Sequence, residues 1–390
     1  MQNPYNYSNF RNSKFKKIFF LTLNSSPLHA AEIARITGLS KPTVSEILRL
    51  LTDYNLIISE VDASGRTSRV FYKPNLTIGY VLGIDVGSSM IHAGVQNIKG
   101  EILGVLDLPL KDHQPSVLIQ SITSCATLLL EKLKLDTNQM ISLVVGTPGV
   151  VDPITGRISI AGTIDYLDGL PMIDILEQHF GISPIIMNDI NLSAIAERDL
   201  GEGIEYDDFA VLSIGNGLGA GLVIGKELYT GKNGAAGEVF YLPLKNGKDP
   251  HRNATNPTFN GLKDILEISK GKVDVDEVIK KALAGNQKEM VAFDELIERI
   301  ALYIASTSAV LDLEAVILSG GIGKKLTPFV SLLTKKVSTY LPYIPQIKIS
   351  NLSGSPVLLG ALQIGLGRSR EILFNEKFTF SPDFENEMEK

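Results

Sequence analysis

A strand–turn–strand pattern built around glycine occurs twice in this chain of 390 residues, and it limits the folds that the chain can adopt. The first copy spans Tyr80–Asn97 and turns at Gly87, and the second spans Phe209–Ile224 and turns at Gly215–Gly219. Each copy is followed by segments that alternate between helical periodicity and short apolar strands. An internal duplication of this type predicts two α/β lobes with a cleft between them.

Glycine turns of this kind suit phosphate binding, because backbone N–H groups approach an anion closely where no Cβ intervenes. A third glycine turn follows the strand-like segment 315–318. Tight hairpins also require glycine for purely structural reasons, so a single glycine turn is weak evidence for phosphate binding. Three such turns in this order are stronger evidence. Asp85, in the first hairpin, could hold a metal-bound phosphate. The candidate phosphate-loop residues are Asp85, Gly87, Gly215, Gly217, Gly219, Gly320 and Gly321.

The charge of the chain is divided unevenly between its N-terminal part and the remainder. The formal net charge is −6. Residues 1–75 hold ten Lys and Arg against five Asp and Glu, a net charge of +5, so the remaining residues carry −11. A basic N-terminal head on an acidic body predicts that the head, and not the body, contacts a polyanion such as DNA.

Two short helices are predicted inside this head, and together they form a helix-turn-helix. The first covers about residues 30–37 and ends at Gly38, which can adopt the left-handed conformation that closes a helix. The second begins at Ser40, a natural N-cap, with Pro42 tolerated in its first turn. Its apolar residues recur at the helical spacing i, i+3, i+4, i+7, at Val44, Ile47, Leu48 and Leu51. The polar opposite face predicts a recognition helix that enters the major groove.

A hairpin with basic residues follows the second helix. Leu56–Glu60 and Arg69–Tyr72 are predicted strands, and the turn-forming run Asp62–Gly65 lies between them. A hairpin in this position is typical of a wing that contacts the adjacent groove or backbone. The predicted DNA contacts are Ser40, Lys41, Thr43, Ser45 and Arg49 on the recognition helix, with Arg66 and Arg69 on the wing. A small helical domain that binds another protein is the alternative.

The chain has one cysteine, Cys125, which excludes an intrachain disulfide and a cysteine-rich zinc site. It lies at helical spacing among apolar residues, as a buried structural thiol does. No apolar run is long enough to predict a membrane span, and the polar, aromatic N-terminus has no signal-peptide pattern. The sequence therefore predicts a cytoplasmic protein without a membrane partner.

Residues 80–367 resemble the ROK family, which comprises repressors, open reading frames and sugar kinases. The matching segments are GIDVG (83–87), GTPGVVDPITG (146–156), NDIN (188–191), IGNGLGAGLVIG (214–225), GAAGEV (234–239), LSGGIG (318–323) and SPVLLGALQIGL (355–366). The resemblance implies an α/β body with the two-lobed actin-like fold of sugar kinases and Hsp70, and the winged helix-turn-helix points to the regulator branch. The predicted units are the head (1–75), a first lobe (76–200), a second lobe (201–370) and a polar tail (371–390).

The resemblance also implies roles for individual residues. Asp189 matches the general base that accepts the proton of a sugar hydroxyl as it attacks the γ-phosphate of ATP. Asn188 and Glu238 match residues that hydrogen-bond sugar hydroxyls. In an ungapped alignment Thr163 occupies the position of a sugar-contacting asparagine, and Tyr241 that of a histidine that contacts the sugar and a structural zinc ion. These five residues form the predicted sugar site.

Departures from the family pattern argue against phosphotransfer. Kinases of the family carry a lysine in the first phosphate loop, where this chain has Met90. The zinc motif should follow Tyr241, but residues 245–260 contain no cysteine, and His251 alone is not a metal site. We therefore expect no zinc and no required cofactor, with ATP and Mg²⁺ relevant only to an active kinase.

Three functions remain open at the level of sequence. The favoured hypothesis is a sugar-responsive transcription regulator, expected to be a repressor, whose homodimer or tetramer binds a palindromic operator and whose body binds a carbohydrate effector. The second is an ATP-dependent sugar kinase that also carries a DNA-binding head, supported by Asp189 and the glycine turns. The third is a non-catalytic body that serves only for dimerisation or as a partner scaffold and does not respond to sugars.

Overall fold

The computed structural model describes residues 14–25, 27–62, 69–110, 114–160, 167–215, 217–242 and 274–377. Its elements form three units, which are the basic head, a first α/β lobe and a second α/β lobe. Two of the predicted site residues, Arg66 and Thr163, lie outside the described residues.

The head is a winged helix-turn-helix, as predicted. Its elements are α1 (Lys14–Ser25), β1 (Leu28–His29), α2 (Ala30–Thr37), α3 (Lys41–Asp53), β2 (Ile57–Asp62) and β3 (Arg69–Pro74). Strand β3 lies between β1 and β2 and is antiparallel to both. Helix α2 ends at Gly38, whose φ of 74° is the left-handed conformation. The apolar stripe of α3 is buried against α1, which fixes the recognition helix with its polar side outward.

In the described part of the chain, the first lobe is built on a five-stranded sheet in the order β10-β7-β4-β5-β6. Strands β4 and β5 form the predicted antiparallel hairpin, and β7 runs parallel to β4. By length and composition α4 could cross a membrane, but Leu118, Ile122 and Cys125 pack into the core of this lobe. The elements are β4 (Tyr80–Val86), β5 (Met90–Asn97), β6 (Ile102–Pro109), α4 (Pro115–Leu133), β7 (Met140–Thr147), β8 (Val150–Val151), β9 (Ile158–Ser159), α5 (Met172–Phe180), β10 (Ile185–Asn188) and α6 (Asp189–Leu200).

The second lobe repeats this arrangement. Within the described ranges its sheet again has five strands, in the order β13-β12-β11-β14-β15. Strands β11 and β12 form an antiparallel hairpin, while β14 runs parallel to β11 and β15 to β14. The predicted duplication is therefore confirmed. The elements are β11 (Phe209–Ile214), β12 (Leu218–Ile224), β13 (Glu227–Tyr229), α7 (Val275–Leu283), α8 (Gln287–Leu311), β14 (Ala315–Ser319), α9 (Gly320–Gly323), α10 (Val330–Val337) and β15 (Gln346–Ile349).

The last helix, α11 (Pro356–Lys377), differs from its predicted place in two ways. It packs on β4, β7 and α6 of the first lobe, although the sequence division placed it in the second lobe. It also continues to Lys377, so the first residues of the predicted polar tail are helical. The close approach to α6 needs glycine at position 360, because a Cβ there would collide with the Leu192 carbonyl. The first lobe is thus made from two separate pieces of the chain.

Within the described residues, the chain passes between the lobes at two places, 201–208 after α6 and 350–355 before α11. We call these segments the first crossing and the second crossing. They are joined side by side, because the Asn351 side-chain amide donates to Glu202 Oε1 (2.7 Å). Any change in the angle between the lobes must therefore bend both crossings together.

The head is fixed to the first lobe by a packed interface, which we call the junction. Leu373 near the end of α11 and Ile98 after β5 belong to the same apolar cluster as Phe19 of the head. The Arg370 guanidinium donates from Nε and Nη2 to the Ile98 carbonyl (both 3.2 Å) and lies 5.5 Å from the centre of the Phe20 ring. Burial lowers the pKa of Arg370 to about 10, so the group stays charged at neutral pH.

The predicted boundary between the head (1–75) and the first lobe (76–200) lies inside a folded and packed segment. Asn75 is buried, and its side-chain amide donates to the backbone carbonyl of Asn55 (3.0 Å) and to Asn55 Oδ1 (2.9 Å). Asn75 Oδ1 accepts the Thr77 backbone N–H (3.1 Å). These bonds connect the recognition helix, the wing and the first lobe. The head is therefore attached to the first lobe at two places, which are the junction and the hydrogen bonds of Asn75.

Candidate DNA-binding and carbohydrate-binding sites

The recognition helix α3 begins with a cap that uses two of the predicted DNA contacts. Ser40 Oγ accepts the Thr43 backbone N–H (3.3 Å) and lies 2.7 Å from Thr43 Oγ1. These hydroxyls fix the start of the helix, and their contact with DNA stays a prediction. Lys41, Ser45 and Arg49 are exposed and follow one another at four-residue spacing, which places them on one face of the helix.

Arg49 is already paired in the structure. Its Nη2 lies 2.6 Å from Glu46 Oε1, and its Nη1 lies 2.7 Å from Asp53 Oδ2, with all three side chains exposed. The hydrogen bond between them raises the pKa of Arg49 and lowers that of Glu46. The i, i+3 and i, i+4 spacing of these residues is the sequence signal for such pairs. A phosphate that binds Arg49 must displace these carboxylates or share the guanidinium with them.

A groove of about 710 Å³ lies between the wing strand β3 and the start of α2. Arg69, one of the predicted wing contacts, lines this groove together with Arg35 and Glu32. Arg35 was not among the predicted contacts, although its place in the last turn of α2, just before the recognition helix, is a usable signal. Two guanidinium groups against one carboxylate suit a phosphate of the DNA backbone.

Asp189 lies at the carboxyl end of β10 as the first residue of α6, and it is partly buried. Its Oδ1 accepts the Ile190 backbone N–H (2.8 Å). Burial, together with the nearby carboxylates of Asp85 and Glu238, raises the pKa of Asp189 to about 7. A carboxyl group with a pKa near 7 can accept a hydroxyl proton or donate a hydrogen bond to a hydroxyl oxygen. Its environment therefore fits either a general base or a ligand for a polyol.

Asn188 is the N-cap of α6, which the sequence analysis did not anticipate. Its Oδ1 accepts the backbone N–H groups of Ile190 (2.9 Å) and Asn191 (3.0 Å). Its Nδ2 donates to the Gly149 carbonyl (2.9 Å) and to Asp189 Oδ1 (3.2 Å). These bonds hold Asp189 in place, so Asn188 positions its neighbour. A direct contact between Asn188 and a sugar stays a prediction and would compete with these bonds.

Asp85 is buried near the end of β4, where its Oδ2 accepts a hydrogen bond from Ser355 Oγ (2.6 Å). Burial raises the pKa of Asp85, and the Ser355 hydroxyl opposes the rise. Ser355 Oγ also accepts the Leu358 backbone N–H (3.1 Å) in the first turn of α11. The carboxylate that was predicted to hold a metal-bound phosphate is thus tied to the start of the last helix.

Glu238 belongs to the second lobe and completes an acidic cluster with Asp85 and Asp189 of the first. It is partly buried, and burial raises its pKa. Tyr241 is 40% exposed, and burial together with the Glu238 charge raises its pKa. The structure therefore brings Asp85, Asp189 and Glu238 together from both lobes, with Tyr241 close to Glu238. This acidic cluster is the centre of the candidate sugar site.

A cavity of about 470 Å³ adjoins Glu238 in the second lobe. Its walls include Tyr229, Asn233, Thr307 and Val310, none of which the sequence analysis named. The volume is within the range of small-ligand pockets. No sequence motif marks these residues, because the cavity forms only when β12 and α8 come together in the fold.

The first and second glycine turns close hairpins. The Gly87 N–H donates to the Met90 carbonyl (2.9 Å), and the Gly215 N–H donates to the Gly217 carbonyl (3.0 Å). A Cβ at position 87 would lie 2.8 Å from the Met90 carbonyl oxygen, so the predicted structural need for glycine holds at Gly87, whereas a Cβ at Gly215 would make only an ordinary contact. Phosphate binding by these loops stays a prediction.

The second and third glycine turns lie against each other. A Cβ on Gly215 would be 3.8 Å from the Gly321 nitrogen. Gly320 has φ 80°, and a Cβ there would be 2.5 Å from the Ile214 carbonyl oxygen. A Cβ on Gly219 would collide with the Ile190 side chain of α6. The carboxyl ends of β11 and β14 thus meet as a glycine-lined surface at the same end of the sheet.

No group of three or more His, Cys, Asp and Glu side chains is placed to hold a metal ion among the residues that the structure describes. Residues 243–273, which would contain the family's zinc segment and include His251, lie outside those residues. Met90, the residue at which the family resemblance led us to expect lysine in a kinase, is the first residue of β5 in the first hairpin. The side chains of the described cleft can thus offer hydrogen-bonding carboxyl groups to a ligand, but this loop offers no cation to a phosphate.

The sequence profile described as the ROK family matches residues 81–365. The xylose repressor of Caldicellulosiruptor bescii is 24% identical over 372 residues, which cover 87% of this chain and 92% of that protein. The alignment with the xylose repressor of Bacillus subtilis, at 24% identity over 224 residues, covers 57% of this chain and 58% of that protein. The chain thus spans little more than half the length of some of its curated relatives and nearly all of another.

Solved structures show the same fold. A ROK family transcriptional regulator, described as a homologue of the E. coli MLC protein, has a TM-score of 0.73 and 17% identity over 93% of this chain and 97% of its own. The ROK hexokinase from Thermus thermophilus has a TM-score of 0.62 and 24% identity over 73% of this chain and 97% of its own. The predicted fold, an α/β body with two actin-like lobes behind a helix-turn-helix head, is confirmed.

Proposed function

Because this chain belongs to the ROK family, we propose that it is a sugar-responsive DNA-binding repressor. The head binds operator DNA and the two-lobed body binds a carbohydrate. One observation carries the proposal: the winged helix-turn-helix is packed onto a kinase-like body that keeps the acidic cluster but has Met90 at its first glycine turn. Carboxyl groups hydrogen-bond the hydroxyls of a polyol, whereas a phosphoryl donor needs cations.

D-Xylose is the first effector to test. Relatives from Caldicellulosiruptor bescii and Bacillus subtilis are named as xylose repressors. A neutral pentose carries several hydroxyl groups and no charge, which suits a site made of Asp85, Asp189 and Glu238. Thr163 and Tyr241 complete the proposed sugar contacts, and they replace the family's asparagine and histidine.

We propose that the DNA-binding form is a homodimer or tetramer on a palindromic operator. Recognition helices that read successive major grooves must be about 34 Å apart, and a two-fold axis sets that spacing. Lys41, Ser45 and Arg49 would contact the major groove, and Arg66 and Arg69 the adjacent backbone. A DNA partner places the protein in the cytoplasm, and the function requires no zinc, ATP or Mg²⁺.

An active sugar kinase is the second candidate. The observation that favours it is Asp189, because a pKa of about 7 suits a general base at neutral pH. The two candidates differ in what Asp189 does: in a repressor it only binds the sugar, and in a kinase it also accepts a proton during phosphotransfer.

Operator binding measured with and without sugar tests the proposal. The full chain should bind a duplex selected from a random-sequence pool, and fluorescence anisotropy should show D-xylose weakening that binding about tenfold or more. Asp189→Asn should reduce the response to D-xylose, while Glu131→Gln, a change at an exposed carboxylate on α4, should not. If D-xylose leaves operator binding unchanged but drives ADP release that Asp189→Asn abolishes, the protein is a kinase.

A further inference from the structure

Two buried polar atoms at the crossings have no hydrogen-bond partner among the described residues. They are Glu197 Oε1 and Ser350 Oγ. Glu197 lies in the last turn of α6 with no exposed surface, and Ser350, at the start of the second crossing, is 7% exposed. Buried polar groups are nearly always hydrogen-bonded, so each exception needs an explanation.

The other atoms of Glu197 organise the first crossing. Its Oε2 accepts the Glu202 backbone N–H (3.0 Å), and its backbone carbonyl accepts the N–H groups of Gly201 (3.1 Å) and Gly203 (3.0 Å). Glu202 in turn accepts the side-chain amide of Asn351 in the second crossing (2.7 Å). Glu197 is therefore located where α6, the first crossing and the second crossing meet.

Ser350 lies beside the Glu197 carboxyl group. Burial raises the pKa of Glu197, and the neighbouring Ser350 hydroxyl opposes that rise. Lys324 opposes it as well, from a position where its Nζ donates to the Leu352 carbonyl in the second crossing (2.6 Å). The hydroxyl of Ser350 is thus close enough to the buried carboxyl group to lower its pKa, but Ser350 Oγ and Glu197 Oε1 do not meet with the geometry of a full hydrogen bond. A small rotation of one crossing against the other would align them.

We propose that Glu197 and Ser350 are a hinge latch, in which Ser350 Oγ donates to Glu197 Oε1 when the lobes close on a ligand and loses that bond when they open. The latch is a positioning device and does not touch the ligand. For the identity of the ligand the proposal rests on the proposed function. Because the junction holds the head on the first lobe, closing the latch turns the head relative to the second lobe.

A matched pair of serine variants tests the latch. Ser308, on α8 of the second lobe, is 6% exposed, and its Oγ is also without a partner among the described residues. Ser350→Ala should weaken D-xylose binding to the full chain about tenfold in calorimetric titration, since a hydrogen bond to a carboxylate formed only in the closed state is lost. Ser308→Ala should change it less than about twofold. An unchanged affinity in Ser350→Ala, or an equal loss in both variants, overturns the latch.

Hydrogen exchange without sugar separates failure of the latch from failure of the proposed function. If D-xylose does not bind the wild-type chain, the proposed effector is wrong, and exchange alone then decides on the latch. The Glu202 amide bonds Glu197, whereas the Ser350 amide bonds the Leu318 carbonyl (2.9 Å). Glu197→Gln should speed exchange of both amides by a similar factor, because a hinge opens both crossings together. Faster exchange at Glu202 alone would mean that Glu197 only ends α6, and would refute the latch.

Discussion

The junction and the crossings are both buried meeting points between units of the chain, but their polar groups are satisfied to different degrees. At the junction Arg370 donates twice to one carbonyl and stacks on Phe20, and Leu373 fills the core of the head. At the crossings, within the described residues, Glu197 Oε1 and Ser350 Oγ are buried without partners. A buried polar atom without a partner costs about 1–3 kcal/mol. This difference is what the proposed hinge latch requires, namely a head that stays fixed on the first lobe and lobes that move against each other.

The acidic cluster resembles the crossings and differs from the junction, because its buried polar groups are also in an unfavourable environment. Asp85, Asp189 and Glu238 come from both lobes, and burial raises the pKa of each one. Burial disfavours the ionised form of each carboxyl group, and the charges of Asp85 and Glu238 add to this effect at Asp189. Hydroxyl groups of a polyol that donate hydrogen bonds to these carboxylates would offset part of that cost. Both the cluster and the crossings therefore store free energy that a ligand can release, whereas the junction does not.

Breaking the junction should have the largest effect on stability. Leu373 is 4% exposed inside the apolar cluster of the head, so Leu373→Ala leaves a cavity and should lower the free energy of unfolding by about 2–5 kcal/mol. Urea denaturation measures the loss. The control is Val310→Ala, since Val310 is 81% exposed and its truncation should change stability by less than about 0.5 kcal/mol. A Leu373→Ala variant as stable as the control would show that the head is not held by α11.

Changing the acidic cluster should act in the opposite direction. The pKa of Asp189 is about 7 in the folded chain, against about 3.9 in an unfolded one. The folded state therefore binds the proton more tightly, and the stability from Asp189 is complete below about pH 4 and is lost as the pH rises through 7. At pH 8 the loss is as much as about 4 kcal/mol. Asp189→Asn removes it, so this variant should be more stable than the wild type at pH 8.

Thermal unfolding measured at several pH values checks both the direction of this stability difference and the pH range over which it appears. The advantage of Asp189→Asn should shrink as the pH falls from 8 to 6 and vanish near pH 4, where the wild-type carboxyl is protonated as well. Glu205→Gln, at an exposed carboxylate, should follow the wild type at every pH. A difference of constant size over this range would mean that Asp189 does not titrate near 7 and that the cluster does not store the free energy assigned to it.

Local patterns predicted most of the fold, and contacts between distant residues account for what they missed. The apolar stripe from Val44 to Leu51 fixed the recognition helix, and the glycine turns identified both hairpins. The place of α11 was missed because its first turns are apolar all round, so no stripe says which sheet they face. The bond from Ser355 to Asp85 joins residues 270 positions apart, and spacing rules do not extend over that separation.

The candidate site was predicted unevenly for the same reason. Asp189 and Glu238 are carried by family motifs, and the structure brings them together. The capping role of Asn188 and the pairing of Arg49 depend on local hydrogen bonds that compete with ligand contacts. Glu197 lies outside every motif in the sequence that matches the family, and its role depends on the contact between the two crossings, which forms only in the folded chain. Sequence reasoning thus named candidates for ligand contact, which stay predictions, but it named no residue that would transmit the response between the lobes.

The smallest expected effect sharpens the comparison at the DNA-binding surface. Glu46 holds the Arg49 guanidinium through a 2.6 Å ion pair on the exposed face of α3. Glu46→Gln removes a negative charge that faces the DNA and frees part of Arg49, so operator affinity should rise by about threefold at low salt and by less at high salt. Anisotropy titrations at two salt concentrations measure this change in operator affinity.

Because Glu46→Gln has the same effect on DNA binding with open and with closed lobes, the factor by which D-xylose weakens operator binding should not change. A change in that factor would mean that the recognition helix moves within the head, and that the junction is not the rigid attachment that its packing indicates.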